Sequence, residues 1–136
     1  SGSSRNRQPW VFVVPDSRER VDALARSVYV PDNVTQAGLV VAVVVTGGGP
    51  ARFDAGRAAQ NMLLAAWNEG VSSCPNGIED VELASAALGL DAEETPVIVL
   101  SFGLPEKPRD PDARTAREWS ERANRKPLDE VVRRVP

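Results

Sequence analysis

The sequence predicts an α+β fold, with helices gathered around one modest sheet. Three observations predict it. Residues 10–14, 39–45 and 97–102 are short apolar runs rich in β-branched and aromatic side chains, which is strand character. Residues 17–26, 55–68 and 80–88 carry apolar side chains at helical spacing. The resulting order is strand, helix, strand, helix, helix, strand, helix. It holds too few strand–helix–strand units for a doubly wound parallel sheet.

Each element has a local reason. Residues 10–14 are Trp-Val-Phe-Val-Val, and Pro15-Asp16-Ser17 breaks them. Asp16 or Ser17 then caps a helix whose Val21, Leu24 and Ala25 share one face. Pro31-Asp32-Asn33 reads as a turn. Residues 39–45 are apolar on both faces, as a strand covered on both sides must be. Gly47-Gly48-Gly49-Pro50 ends that strand, and Asp54 stands as an N-cap candidate before a helix over 55–68. That helix is apolar nearly all round, so it belongs in a core or an interface. Gly70 suits its C-terminal end.

Residues 71–77 read as a short extended segment and a turn, with Pro75-Asn76-Gly77 at its tip. A helix over 80–88 stops at Gly89, and residues 97–102 form a third strand. Residues 105–111 read as an exposed loop. A charged helix over 113–124 carries Trp119, and a short helix over 128–134 closes the chain.

The chain has 136 residues, which is one domain (1–136) with one core. Hydrophobic residues make up 42% and charged residues 26%, an ordinary globular balance. No apolar run reaches the roughly 18 residues a membrane span needs, and no signal-peptide pattern appears. A single Cys74 forms no internal disulfide, so a reducing cytoplasm is expected. With no His, the His-based metal sites and the Ser-His-Asp and Cys-His arrangements drop out. Cys74 without a His partner reads as a small buried residue. A chain this poor in reactive side chains, if an enzyme, takes its chemistry from a cofactor. The net charge of −3 argues against general nucleic-acid binding. Residues 106–136 nevertheless hold nine basic and seven acidic side chains, against seven and twelve in residues 1–105, so a basic tail follows an acidic body.

The residues with chemical promise begin at the first loop. Ser3-Ser4-Arg5-Asn6-Arg7-Gln8 is wholly polar or charged, and Pro9-Trp10 delivers it straight into a strand. Asn6 and Gln8 each donate and accept, which suits a ligand edge carrying both kinds of group. Ser4 alone would as readily be a turn hydroxyl. Pro9 and Trp10 read as structural, and so do Asp54 and Arg57.

The string Ser-Ser-x-Asn-x-Gln-Pro-Trp-x-Phe closely resembles the flavin-binding loop of the nitroreductase family of FMN-dependent oxidoreductases. Further matching segments follow in order: residues 54–67, residues 70–77, Leu88-Gly89-Leu90 with residues 96–105, and Arg125-Lys126-Pro127-Leu128. The resemblance spans nearly the whole chain. It implies an α+β fold with a mixed sheet between helices and an intertwined homodimer holding two flavins at its interface. It implies an FMN cofactor that takes hydride from NAD(P)H and passes it to a nitroaromatic, a quinone or an enal. By family position Ser3, Ser4, Asn6 and Gln8 would contact the flavin. Pro75, Asn76 and Gly77 would form the turn beside its reactive N5, where a backbone N–H donates. Arg125 and Lys126 would hold the phosphate. The family's preceding Arg-rich segment is expected to be absent, since the sequence opens at the next loop; this bears on phosphate anchoring and on dimer completeness. Two other readings fit the same residues. One is a flavin- or deazaflavin-binding module without turnover, the other a cofactor-free dimeric scaffold.

Overall fold

The structure is a computed structural model and describes residues 1–108 and 110–135. It divides into two compact units, Ser1–Glu106 and Lys107–Pro136. The expected loop over 105–111 includes Arg109, which lies outside the described residues.

The first unit is built on four strands: β1 (Trp10–Val13), β2 (Leu39–Thr46), β3 (Ser72–Asn76) and β4 (Glu94–Gly103). Four helices belong to it: α1 (Arg18–Ala25), α2 (Asp32–Thr35), α3 (Ala51–Asn68) and α4 (Val81–Leu88). The sheet order is β1-β2-β4-β3, and the expected α+β arrangement of a sheet between helices is present. The strand directions have a particular form. All three pairings are antiparallel. β2 and β3, joined through α3, do run parallel, but β4 inserts between them. The result is a split β-α-β unit in which parallel strands are never adjacent.

The pleat of β2 explains the two-layer core. Val40, Ala42 and Val44 face Leu24 of α1, Val34 of α2 and Leu88 of α4. Val41, Val43 and Val45 face Ala51, Ala55 and Ala59 of α3. Small residues on α3 let the helix backbone lie close to the sheet, while the strand valines fill the space. Ser17 caps α1 by accepting from Arg20 N, and Asp80 caps α4 by accepting from Leu83 N at 2.8 Å. Gly70, at φ +73°, ends α3, and the Val71 N–H returns to the Ala66 carbonyl at 2.8 Å.

In this unit four elements differ most from expectation. The Pro31-Asp32-Asn33 turn continues into the four-residue helix α2. α3 starts at Ala51, before Asp54, because Pro50 already has the φ that a helix start requires. Asp54 therefore sits inside the first turn and does not cap it. The Pro75-Asn76-Gly77 turn becomes the end of β3, since an edge strand tolerates proline. β4 begins at Glu94, upstream of Val97. A bulge there pairs Val43 with Ile98 and Val44 with Pro96, and so accommodates a residue with no N–H.

The second unit holds α5 (Ala116–Arg122) and α6 (Leu128–Val131), both shorter than expected. Thr115 and Glu118 form a reciprocal capping box on α5. Hydrogen bonds from the Thr115 backbone and then its hydroxyl hold the Glu118 carboxyl below its ordinary pKa. The Arg114 guanidinium lies 4.8 Å from the Trp119 ring centroid. No helix among the described residues is long and apolar enough to cross a membrane.

Candidate functional site

Ser4–Asn6 forms one turn of 3-10 helix, and the loop around it is strained. Arg5, Asn6 and Gln8 all have positive φ (53°, 54° and 48°), a region that non-glycine residues avoid. Such outliers persist only where their surroundings hold them. Here the ties are visible. The Ser3 hydroxyl accepts from Gln8 N at 2.8 Å, and the Ser3 carbonyl accepts from Asn6 N at 3.1 Å. Ser4 N donates to Asp54 Oδ2 at 2.8 Å, and Asp54 is 2% exposed. Arg57, one helical turn on, donates to the Gly2 carbonyl at 3.2 Å. Asp54 and Arg57 are thus structural partners, as expected, and what they hold is this loop.

The loop presents its amides outward. Gln8 Nε2 donates to Asn6 Oδ1 at 3.2 Å, and both side chains are exposed. That bond leaves the Asn6 amide nitrogen as a donor and the Gln8 carbonyl as an acceptor, side by side. Ser4 and Arg7 line a small cleft of about 90 Å³ with Thr46, Pro50 and Asp54 at the start of α3. Ser3 serves as the turn hydroxyl here, the role the sequence had suggested for Ser4.

Pro75, Asn76 and Gly77 lie elsewhere. The loop runs into β1 at one edge of the sheet, while these residues lie on or just past β3 at the other. Pro75 is exposed on the edge strand. Asn76 is buried, and its amide nitrogen donates at 3.1 Å to the Cys74 carbonyl, the Val99 carbonyl and Ser101 Oγ. The Asn76 side chain therefore fastens β3 to β4. Its Oδ1 is buried without a donor among the described residues. Gly77 accepts from Tyr29 N at 3.2 Å, and no acceptor among the described residues meets its own N–H. A Cβ at Gly77 would lie 3.1 and 3.2 Å from two Tyr29 ring carbons, so the ring approaches this backbone closely and would have to give by a few tenths of an ångström for any larger residue.

Cys74 is half-buried and receives a 3.6 Å hydrogen bond from Asn33 Nδ2. It lines an open cleft of about 280 Å³ with Asn33, Gln36, Ser72 and Ser101. Arg125 and Lys126 belong to the second unit, and both are exposed. Sequence reasoning missed the Ser4–Asp54 tie and the Tyr29–Gly77 contact. An acidic residue one position from Ala55, on the face of α3 that packs on the sheet, was the available signal for the first.

Residues 50–104 match the model of the nitroreductase family. That span runs from the start of α3 to the end of β4 and carries Pro75, Asn76 and Gly77; the first loop and the basic pair lie outside it. The chain also superposes on solved structures. A nitroreductase family protein from Clostridium difficile 630 is 21% identical at a TM-score of 0.75, with 95% of this chain and 75% of that one covered. The fold is that of nitroreductases. A putative NADH dehydrogenase/NAD(P)H nitroreductase from Parabacteroides distasonis is 23% identical at 0.74, covering 82% of this chain and 72% of that one. An FMN-dependent nitroreductase from Clostridium difficile R20291 is 19% identical at 0.73, covering 87% and 75%. No curated protein matched the sequence. The nitroreductase fold accounts for the split β-α-β core and for the long helix packed across one face of its sheet.

Proposed function

We propose that this protein is an FMN-dependent oxidoreductase that works as an intertwined homodimer. It would accept NAD(P)H as hydride donor and a nitroaromatic, quinone or enal as acceptor. The observation that carries the reading is the strained first loop, tied to a buried aspartate and presenting one amide donor beside one amide acceptor. The pyrimidine edge of an isoalloxazine alternates carbonyl acceptors with an N–H donor. The Asn6 amide nitrogen and the Gln8 carbonyl match two neighbouring positions of that edge. The residues present therefore fit the group. FMN, when bound, would supply hydride uptake and release.

The remaining work falls to the protein. Asn6 and Gln8 would orient the ring edge, with Ser3 and Ser4 shaping the loop. Gly77 would offer its open N–H to the ring nitrogen, with Pro75 exposed beside it and Asn76 holding the strand rigid from behind. Arg125 and Lys126 would meet the phosphate, as a fork and a point charge. The loop and Gly77 flank opposite edges of the sheet, about 14 Å apart at the ordinary strand spacing. This separation supports a site shared between two copies. Further support comes from α3, whose Phe53, Leu64 and Trp67 are exposed in the protomer. Leu128, Val131, Val132 and Val135 are exposed as well, and a second copy would cover them.

A visible spectrum of the purified protein, followed by FMN titration, tests the reading. Asn6→Leu keeps the approximate volume and removes the donor, and is expected to cost about 1–3 kcal/mol of FMN binding, roughly 5- to 150-fold. The fold is expected to survive, because the side chain is exposed, while leucine at φ +54° adds strain to the loop itself. Full FMN occupancy in Asn6→Leu would place the ring against another loop. Changing Arg125 and Lys126 together to Ala is expected to weaken FMN binding while riboflavin binding stays constant, since riboflavin lacks the phosphate. Equal loss for both ligands would assign the pair a structural role.

A further inference from the structure

Among the described residues, Tyr29 is the one aromatic side chain that packs on the Gly77 backbone, and it does so without being buried. It is 67% exposed, and Val30, next to it in the chain, is exposed too. Core filling does not explain it. Its backbone is fixed on both sides: Tyr29 N donates to the Gly77 carbonyl at 3.2 Å, and Val28 bridges Ile78 in antiparallel fashion. Its ring carbons Cδ2 and Cε2 lie where a Gly77 Cβ would leave only 3.1 and 3.2 Å. The ring thus rests on the α-carbon of the residue whose N–H has no acceptor among the described residues.

We propose that Tyr29 is a positioning residue: its ring pins the Gly77 peptide so that the free N–H is presented to a ring nitrogen of the flavin. The inference rests on the FMN reading above. A glycine just past a strand end has wide conformational freedom, and a donor on it would sample many directions. A backbone hydrogen bond on the carbonyl and a ring against the α-carbon remove that freedom from two sides. An oriented donor is worth more than a mobile one, because no reorganisation is needed when charge develops on the acceptor atom. The phenol hydroxyl takes no part in this, so the ring alone should suffice.

The experiment follows the Gly77 amide by 1H–15N correlation in 15N-labelled protein while FMN is added. In the wild type the resonance is expected to carry a ring-current shift that moves on FMN addition. Tyr29→Phe should preserve both. Tyr29→Ala should abolish the ring-current shift and blunt the response to FMN, while FMN still binds through the loop. Gly77→Ala, which must push the ring back by a few tenths of an ångström, should alter the bound-flavin visible band in the same direction as Tyr29→Ala and by less. Flavin reduction by NADPH is expected to slow about tenfold in Tyr29→Ala, a mispositioned donor costing less than a deleted one. A Gly77 amide in Tyr29→Ala that responds to FMN as in the wild type would overturn the inference and leave the flavin reading standing. Loss in Tyr29→Phe equal to that in Tyr29→Ala would also overturn it, by assigning the effect to the hydroxyl. A wild-type protein whose amides ignore FMN and that develops no bound-flavin band would overturn both.

Discussion

Asp54→Ala is expected to release the first loop and to weaken FMN binding by about 10- to 100-fold, although Asp54 itself touches no ligand in the proposed site. The balance of energies gives the direction. Three residues of the loop hold positive φ, and each such residue costs on the order of 1–2 kcal/mol. The Ser4 N–H bond to the buried Asp54 carboxylate is charge-assisted, which is worth about 1.5–3 kcal/mol. Its loss is therefore comparable to the strain of one or two of those residues. Without it, the extended conformations that arginine, asparagine and glutamine prefer become competitive. Asn6 and Gln8 then lose their fixed spacing, and binding must first order the loop again. The fold itself should survive, because Ala55, Ala58 and Ala59 already pack that helix face. Asp54→Asn retains an oxygen acceptor and is expected to fall between the two. Fluorescence titration of FMN, with limited proteolysis to report loop opening, checks the result. Unchanged affinity together with a protease-sensitive loop would mean that the loop is not part of the site.

How far the fold was legible depended on whether one physical cause ruled each segment. β2 was plain, because an unbroken apolar run has no stable place except between two covered faces, and both faces are covered. The start of α1 and the end of α4 were legible for local reasons: Ser17 caps the first helix, and Gly89, at φ +66°, stops the second. The errors arose where tertiary partners outweighed local chemistry. Pro75-Asn76-Gly77 carries every turn signal, yet Asn76 finds three acceptors across β3 and β4 and extends the strand. Asp54 has the composition of an N-cap, but its carboxylate serves a chain segment 50 residues away. No periodicity encodes such a contact.

The candidate site divides along the same line. Asn6 and Gln8 could be singled out because a polar loop entering a buried strand is unusual. The Tyr29 ring on Gly77 could not, because it joins two segments that the sequence leaves 48 positions apart. α3 is the instructive intermediate. An apolar helix in a short chain must be covered, and the sequence cannot say by what. In the protomer, Ala51, Ala55 and Ala59 face the sheet, while Phe53, Leu64 and Trp67 remain exposed. The packed set and the exposed set are both apolar, so only coordinates separate them.

The exposed half of α3 supplies the second large expected effect: Leu64→Asp should convert a dimer into a folded monomer. Phe53, Arg57, Gln60, Leu64 and Trp67 recur at alternating spacings of four and three along the helix, which is one continuous stripe. Leu64 is 56% exposed in the protomer. If the stripe faced water, Leu64→Asp would be a surface change within about 0.5 kcal/mol, with no consequence for thermal stability. If the stripe faces a second copy, each protomer forfeits about 1.5–3 kcal/mol of apolar burial. It also brings an unpaired carboxylate into the interface, a further penalty of several kcal/mol. In a two-fold interface every substitution acts twice, so the dissociation constant should rise by many orders of magnitude. The first unit should still melt cooperatively, because Leu64 contributes little to either core cluster. Sedimentation at micromolar concentration then separates the cases. A monomeric, folded Leu64→Asp protein that has lost FMN is the expected outcome, since the proposed site takes its two halves from different copies. A Leu64→Asp protein that remains dimeric and holds FMN would move the interface off α3. A wild-type protein already monomeric at that concentration would remove the shared site altogether.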